Sequence, residues 1–251
     1  MKKVAPDLQS ALSFLTILPF PCPLVSERPA EALSRAMAWF PVAGALVGAA
    51  GGGVALWLSE WWAQPVAAMA GLALMELLTG GLHLDGFADT ADGFGAWKGR
   101  EETLRIMRDS RVGALGAGAI FFLLGFKWAC LSDIPLHALL GAAVSACALS
   151  RMTLVLSAQA FPYAPGQGGL GRLVTDRRSP ASVAAALALG LGFSVVCLGL
   201  LPGIFVASAA IAVAWCVNTL VVRRLGGITG DTLGAVSELV EAAVLFLAAM
   251  R

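Results

Sequence analysis

Three aspartates, Asp85, Asp89 and Asp92, stand four and then three residues apart in the run His83-Leu-Asp-Gly-Phe-Ala-Asp-Thr-Ala-Asp-Gly93. On a helix this spacing sets all three carboxylates on one face. Like charges so placed repel one another, more strongly beside lipid than in water. A hard divalent cation relieves that repulsion. Mg²⁺ usually takes one or two carboxylates and leaves its other positions to water and substrate phosphates. The spacing alone also fits an acidic helix face in water. Position decides between the two, because the cluster follows directly on a hydrophobic segment. Asp85, Asp89 and Asp92 are therefore expected to hold Mg²⁺.

Other polar residues sit at comparable places. Arg108, Asp109 and Arg111 fall in the run Ile106-Met-Arg-Asp-Ser-Arg-Val-Gly113, at the mouth of the next apolar stretch. Asp231 falls in Gly230-Asp-Thr-Leu-Gly-Ala235, at the mouth of the last one, with Glu238 and Glu241 beyond it on one helical face. Arg151 lies inside an apolar run and needs an acid or a phosphate as partner. Glu76 is also deep in an apolar run, where it either joins the polar site or makes a structural hydrogen bond. Gly166, Gly168, Gly169 and Gly171, followed by Arg172, Arg177 and Arg178, make a loop able to cradle phosphate, although it lacks the Walker ending. His137 reads as structural. The five cysteines are scattered without a Cys-x-x-Cys pair, so neither a zinc site nor a disulfide framework is read.

The elements that carry these residues follow from composition. Apolar residues make up 58% of the 251-residue chain and charged residues 13%, and the mean hydropathy is +0.81. A soluble domain has roughly 45–50% and 25%. The apolar runs exceed a barrel strand and do not alternate, which leaves helices. The expected fold is all-α, a polytopic membrane helix bundle forming one integral membrane domain over 1–251, with a polar region at 83–111. About seven spans are read: 36–58, 62–82, 112–131, 134–160, two within 182–222 parted at Pro202-Gly203, and 233–250. Leu8 to Phe20 is too short to span and reads as an interfacial or re-entrant helix ended by Pro19, Pro21 and Pro23. No cleaved signal peptide is read. Gly44, Gly48 and Gly52 form a small-residue stripe for close helix packing, which also permits a homo-oligomer. Lys127 lies near a span end, where it can snorkel.

Lysines and arginines gather on one side of this topology, while the turns at Ser59, Ser132 and Pro202 carry none. The positive-inside rule puts the N-terminus and main polar loops in the cytoplasm, in a multi-pass inner-membrane protein. Asp85, Asp89, Asp92, Asp109 and Asp231 then converge on one membrane face. Acids that hold metal, beside arginines that grip phosphate, suit phosphoryl or nucleotidyl transfer on an amphiphilic phosphate compound. A cation-coupled transporter would carry its acids near the midplane, often with repeated halves. Here most acids lie at span mouths and no repeat is found.

The three runs quoted above, in this order and followed by Glu238, resemble the cobalamin synthase family, the adenosylcobinamide-GDP ribazoletransferases. The resemblance extends over nearly the whole chain. It implies joining of adenosylcobinamide-GDP to α-ribazole, or its 5′-phosphate, with release of GMP and a need for Mg²⁺. On this reading Asp85, Asp89 and Asp92 hold the metal against the diphosphate. Asp109 or Asp231 completes the metal shell or accepts the proton of the attacking hydroxyl. Arg108 and Arg111 contact phosphate, with Arg151 a further substrate contact, and His83 orients an aspartate or protonates the leaving group. The partners implied are these two substrates and membrane lipid, with no nucleic acid. The alternatives are another Mg²⁺-dependent membrane phosphotransferase of the CDP-alcohol type or, behind it, the transporter.

Overall fold

The computed structural model describes residues 4–20, 29–166, 168–175, 177 and 179–250. Pro21, Pro23, Gln167, Asp176 and Arg178, and the cations Lys2, Lys3 and Arg28, lie outside them. The described residues form helices with no β-strand. In chain order these are α1 (Val4–Leu15), α2 (Pro29–Ala36), a 3₁₀ turn (Met37–Trp39) and α3 (Phe40–Leu58). Then come α4 (Gln64–Thr79), α5 (Leu82–Gly95), α6 (Arg100–Ile106), α7 (Ala114–Asp133) and α8 (Leu136–Ala160). The last four are α9 (Leu170–Thr175), α10 (Pro180–Leu198), α11 (Leu200–Leu225) and α12 (Gly230–Ala248).

Five of these segments are long and apolar enough to cross a membrane: Pro29–Leu58, α7, α8, α10 and α11. Helices α4 and α5 meet the same measure only as a pair, bent by 90°. The seventh expected span, α12, has 19 residues but carries Asp231, Glu238 and Glu241. The architecture is thus an all-α polytopic bundle. Its short turns lie at one end and its polar connections at the other.

The bend after α4 has a backbone cause. Gly80 and Gly81 both take the left-handed conformation, at φ 62° and 68°. A side chain is costly there and glycine is not. The chain therefore leaves α4 sharply, and α5 lies across the polar ends of α7 and α12. The other break differs from expectation. The chain turns at Gly199, φ 91°, and Pro202 sits inside the first turn of α11, where its missing N–H costs nothing. Helix α1 ends at Leu15, before Pro19 is reached, and the Ile17 N–H donates to the Leu78 carbonyl at 2.9 Å.

Helices α3 and α8 pack backbone to backbone. A methyl group on Gly44 or Gly48 would run into the carbonyl of Cys147 or Ala143. The glycine stripe is therefore an internal packing seam. At the far end the Gln64 side-chain amide donates to the Ile134 carbonyl at 2.6 Å. The Trp128 indole donates to the Pro65 carbonyl at 2.7 Å. These bonds lock α4 against the α7–α8 turn.

Candidate active site

The site forms where α5 crosses α12. A Cβ on Gly86 would lie 2.8 Å from the Asp231 backbone, and one on Gly234 would lie 3.0 Å from the His83 carbonyl oxygen. Only a small residue at 86 allows this approach, and it brings Asp231 to the α5 aspartates. Asp85 is exposed at the surface of the crossing, while Asp89 and Asp231 are half-buried. The Asp89 carboxyl is pushed up to about 6, first by burial and then by the charges of Asp85, Asp231 and Asp92. Among the described residues none of Asp85, Asp89 and Asp231 has an ion-pair partner. The group is short of positive charge, and all its donors are hard oxygens, the chemistry Mg²⁺ takes. Their oxygens do not converge on a single point. They therefore form no all-protein cation cage among the described residues.

Asp92 is placed differently from the expectation. One of its carboxylate oxygens accepts from the Gly113 N–H and the other from the Gly116 N–H, each at 2.7 Å. Gly113 has no side chain with which to cap α7, and Asp92 caps that helix from α5. Asp109 and Arg111 close on each other. The Arg111 guanidinium donates to both Asp109 oxygens, at 2.7 and 3.0 Å. These bonds hold the Asp109 carboxyl down at about 2. Arg108 lies on the cavity described next.

That cavity, about 640 Å³, opens beside the crossing. His83, Asp85, Arg108 and Asp231 line its polar side. So does the first turn of α12, whose start is set by a reciprocal cap. The Thr232 N–H donates to Thr229 Oγ1 at 3.2 Å, and the Thr229 N–H donates to Thr232 Oγ1 at 2.8 Å. A helix N-terminus presents backbone N–H groups and a positive dipole end, both favourable to an anion. Gly166, Gly168, Gly169 and Gly171 line the cavity as well. A parallel bridge between Tyr163 and Ile228 ties that loop to the entry of α12. The Tyr163 hydroxyl donates to the Gly168 carbonyl at 3.0 Å. The glycine density beside arginines was the only sequence signal for this wall. Nothing in the sequence signalled the apolar part of the lining, where Phe14 and Phe40 stack at 5.7 Å between ring centroids. His83 is 5% exposed, and its Nε2 has no hydrogen-bond partner among the described residues.

Lys127, Arg151 and Glu76 form a separate network inside the bundle. Lys127 does not snorkel. It is fully buried and donates to Glu241 at 2.8 Å, to Glu76 at 3.3 Å, and to Glu238. Arg151 is 2% exposed and pairs with Glu241, while also donating to Ser150 Oγ at 2.8 Å. Its charge is answered inside the bundle, and it is not among the residues that line the cavity beside the crossing. Glu76 is likewise part of this interior network. Among the described residues, only Glu76, Glu238 and Glu241 bring three acid oxygens within 4.8 Å of one another. Lys127 already supplies the cation there.

Comparison with known proteins identifies the family. The family described as cobalamin-5-phosphate synthase matches residues 7–249. The chain belongs to that family. A relative from Klebsiella pneumoniae (strain 342) named adenosylcobinamide-GDP ribazoletransferase is 40% identical over 243 residues, 96% of this chain and 97% of its own length. Proteins of the same name from Chlorobaculum tepidum and Escherichia coli (strain K12 / DH10B) are 39% and 37% identical, over 97% and 95% of this chain. They cover 94% and 96% of their own lengths. No solved structure matches the chain. As a member of the cobalamin-5-phosphate synthase family the protein is an enzyme, a transferase. All three sequence runs that carried the resemblance border the α5–α12 crossing or the loop beside it.

Proposed function

We propose that this transferase joins adenosylcobinamide-GDP to α-ribazole or its 5′-phosphate and releases GMP, the last step of cobalamin nucleotide-loop assembly. The observation that carries the reading is the near full-length match to relatives bearing that enzyme's name. The crossing of α5 and α12 supplies a site of the right chemistry. Asp85 and Asp89 would hold Mg²⁺, which would supply charge stabilisation on the diphosphate oxygens. Arg108 and the N-terminus of α12 hold the phosphate at the cavity. The ribazole 3′-hydroxyl attacks the phosphorus that bears cobinamide. A new P–O bond forms as the bond to the GMP phosphate breaks, and GMP departs with the electron pair. The hydroxyl proton goes to Asp231. Asp109 is the weaker acceptor, since a carboxyl held at about 2 by Arg111 keeps little affinity for a proton. His83, nearly fully buried at the cavity wall, orients the neighbouring aspartates rather than protonating the departing phosphate. The enzyme is a multi-pass protein of the inner membrane with this face toward the cytoplasm.

The test is turnover by purified protein in liposomes. Adenosylcobinamide-GDP and α-ribazole 5′-phosphate are supplied with and without Mg²⁺, and GMP and the corrinoid product are followed. Mg²⁺-dependent GMP release matched by cobalamin product is the expected result. Folded protein that releases no GMP overturns the assignment and directs attention to CDP-linked lipids.

A further inference from the structure

The cavity beside the crossing is lined by two chemically distinct sets of residues. The polar set comes from α5, the start of α12 and the glycine-rich loop. The apolar set is gathered from separate helices and belongs to one buried cluster. Phe14 and Leu15 come from α1, Phe40 from α3, Leu154 from α8, Val174 from α9 and Leu233 from α12. A site for phosphate alone has no use for such a wall. Apolar surface facing a cavity beside phosphate-binding groups fits a ligand that is polar at one end and aromatic or aliphatic at the other.

Size excludes the corrin macrocycle. Pockets that enclose drug-sized ligands run to about 300–1,000 Å³. The volume here, about 640 Å³, takes a nucleoside monophosphate. The macrocycle with its adenosyl group is larger and stays at the mouth, whereas the riboside and the guanosine arm of the other substrate are both small enough, and the separate KM readouts below tell these two apart. A planar aromatic base is the apolar end that matches the wall, because stacked and edge contacts to Phe rings add to simple burial. His83 supplies a second sign that a ligand completes this place. It lines the cavity nearly fully buried, with Nε2 unpartnered among the described residues. A buried nitrogen without a partner is costly, and a ligand hydroxyl removes that cost.

We infer that the apolar wall built on Phe14, Phe40, Leu154 and Val174 is the seat of the aromatic base of the riboside substrate. The riboside's ribose faces His83 and its reacting hydroxyl faces Asp231, while the corrinoid substrate stays at the cavity mouth with only its diphosphate reaching in. The short helix α1, which does not span the membrane, is thereby a wall of the substrate site. This inference rests on the transferase reading above.

Two readouts on the intact protein in liposomes keep the two claims apart. The first is equilibrium binding of α-ribazole with no corrinoid present. The second is the KM of each substrate from GMP release. Phe14→Ala enlarges the seat and Val174→Phe narrows it. Both are expected to weaken riboside binding and raise its KM by about tenfold, leaving the KM for adenosylcobinamide-GDP within about twofold. The Val174→Phe penalty should grow from an unsubstituted benzimidazole riboside to a 5,6-dimethyl one. Phe14→Leu keeps an apolar side chain without the ring and replaces the alanine variant if that fails to insert. Riboside binding unchanged in these variants, or a shift confined to the corrinoid KM, overturns the seat while leaving the transferase in place. Riboside binding that depends on Phe14, in protein releasing no GMP, keeps the seat and overturns the transferase. Neither binding nor turnover in folded wild-type protein overturns both.

Discussion

Asp85 and Asp231 come from runs nearly 150 residues apart in the chain, yet they carry the same unbalanced charge. Substituting Asp85→Ala or Asp231→Asn should lower turnover by about a hundredfold or more with insertion intact, since each removes charge stabilisation or proton acceptance at the reacting phosphate. Wild-type rates in both would remove the metal reading. Asp92 should behave otherwise. Asp92→Asn retains one capping oxygen for α7, so it should keep more activity and thermal stability than Asp92→Ala, a contrast that a pure metal ligand would not give. Asp109 makes a pH prediction. Its folded pKa, about 2, lies below its ordinary value of 3.8. The pairing with Arg111 therefore contributes fully above that ordinary value and is lost only as the pH falls through about 2. A rate profile between pH 5 and 9 should contain no step from Asp109, and Asp109→Asn should leave the positions of any steps unchanged. The aspartates were legible in the sequence as a group because helical spacing is local. The departure of Asp92 was not legible, because its partners, Gly113 and Gly116, are backbone groups that any residue carries.

At the scale of elements, the crossing of α5 over α12 is what makes a site out of separate runs. Gly86 permits it, and a methyl group there meets Asp231 backbone that has nowhere to yield. Gly86→Ala should push α5 off α12 and lower kcat by roughly a hundredfold, the scale expected of a misplacement near 1 Å. Detergent-solubilised protein should still elute as a folded species. Full activity in Gly86→Ala would mean the crossing does not position the chemistry. The sequence pointed to a helix at His83–Gly93 and to small-residue packing, but not to this contact, because glycine spacing marks a close approach without naming the partner helix. The same limit applied to Lys127. Its position near a span end agreed with snorkelling, and only the fold reveals Glu76, Glu238 and Glu241 around it. Lys127→Met strips the cation from three acids. Breaking a buried pair in this way costs about 3–5 kcal/mol. The expected readout is a marked fall in thermal midpoint, partly restored when Glu238→Gln is added.

At the scale of the molecule, the distribution of charge explains why composition counts five or six crossings where the order of loops implies seven. A helix facing lipid must be apolar along its crossing, and α10 and α11 are free of charge there, the two arginines of α11 lying in its last turn. A helix enclosed by other helices is free of that demand if its neighbours bring counter-charges. Helix α12 is such a helix, buried over most of its length, with Glu238 and Glu241 answered by Lys127 of α7 and Arg151 of α8. Helix α8 is similarly enclosed and carries its arginine inside. Acids at 231, 238 and 241 thus lower the apolarity of α12 without making it a surface helix. We expect α12 to cross the membrane, which puts the two ends of the chain on opposite sides. Cysteines introduced at Ser59 and Ser132, in a background lacking the five native ones, should react with an impermeant maleimide from outside intact cells. One at Lys98 should react only after permeabilisation. A reporter fused after Ala248 decides the seventh crossing. If it reads out on the same side as Lys98, α12 does not span, and Asp231 cannot share with Asp85 a site at the membrane face while Glu241 lies buried at mid-bundle. If it reads out opposite Lys98, one helix carries a reacting acid at its mouth and the structural ion pairs about two to three turns below. The rigidity of that buried network then becomes part of how Asp231 is held against α5.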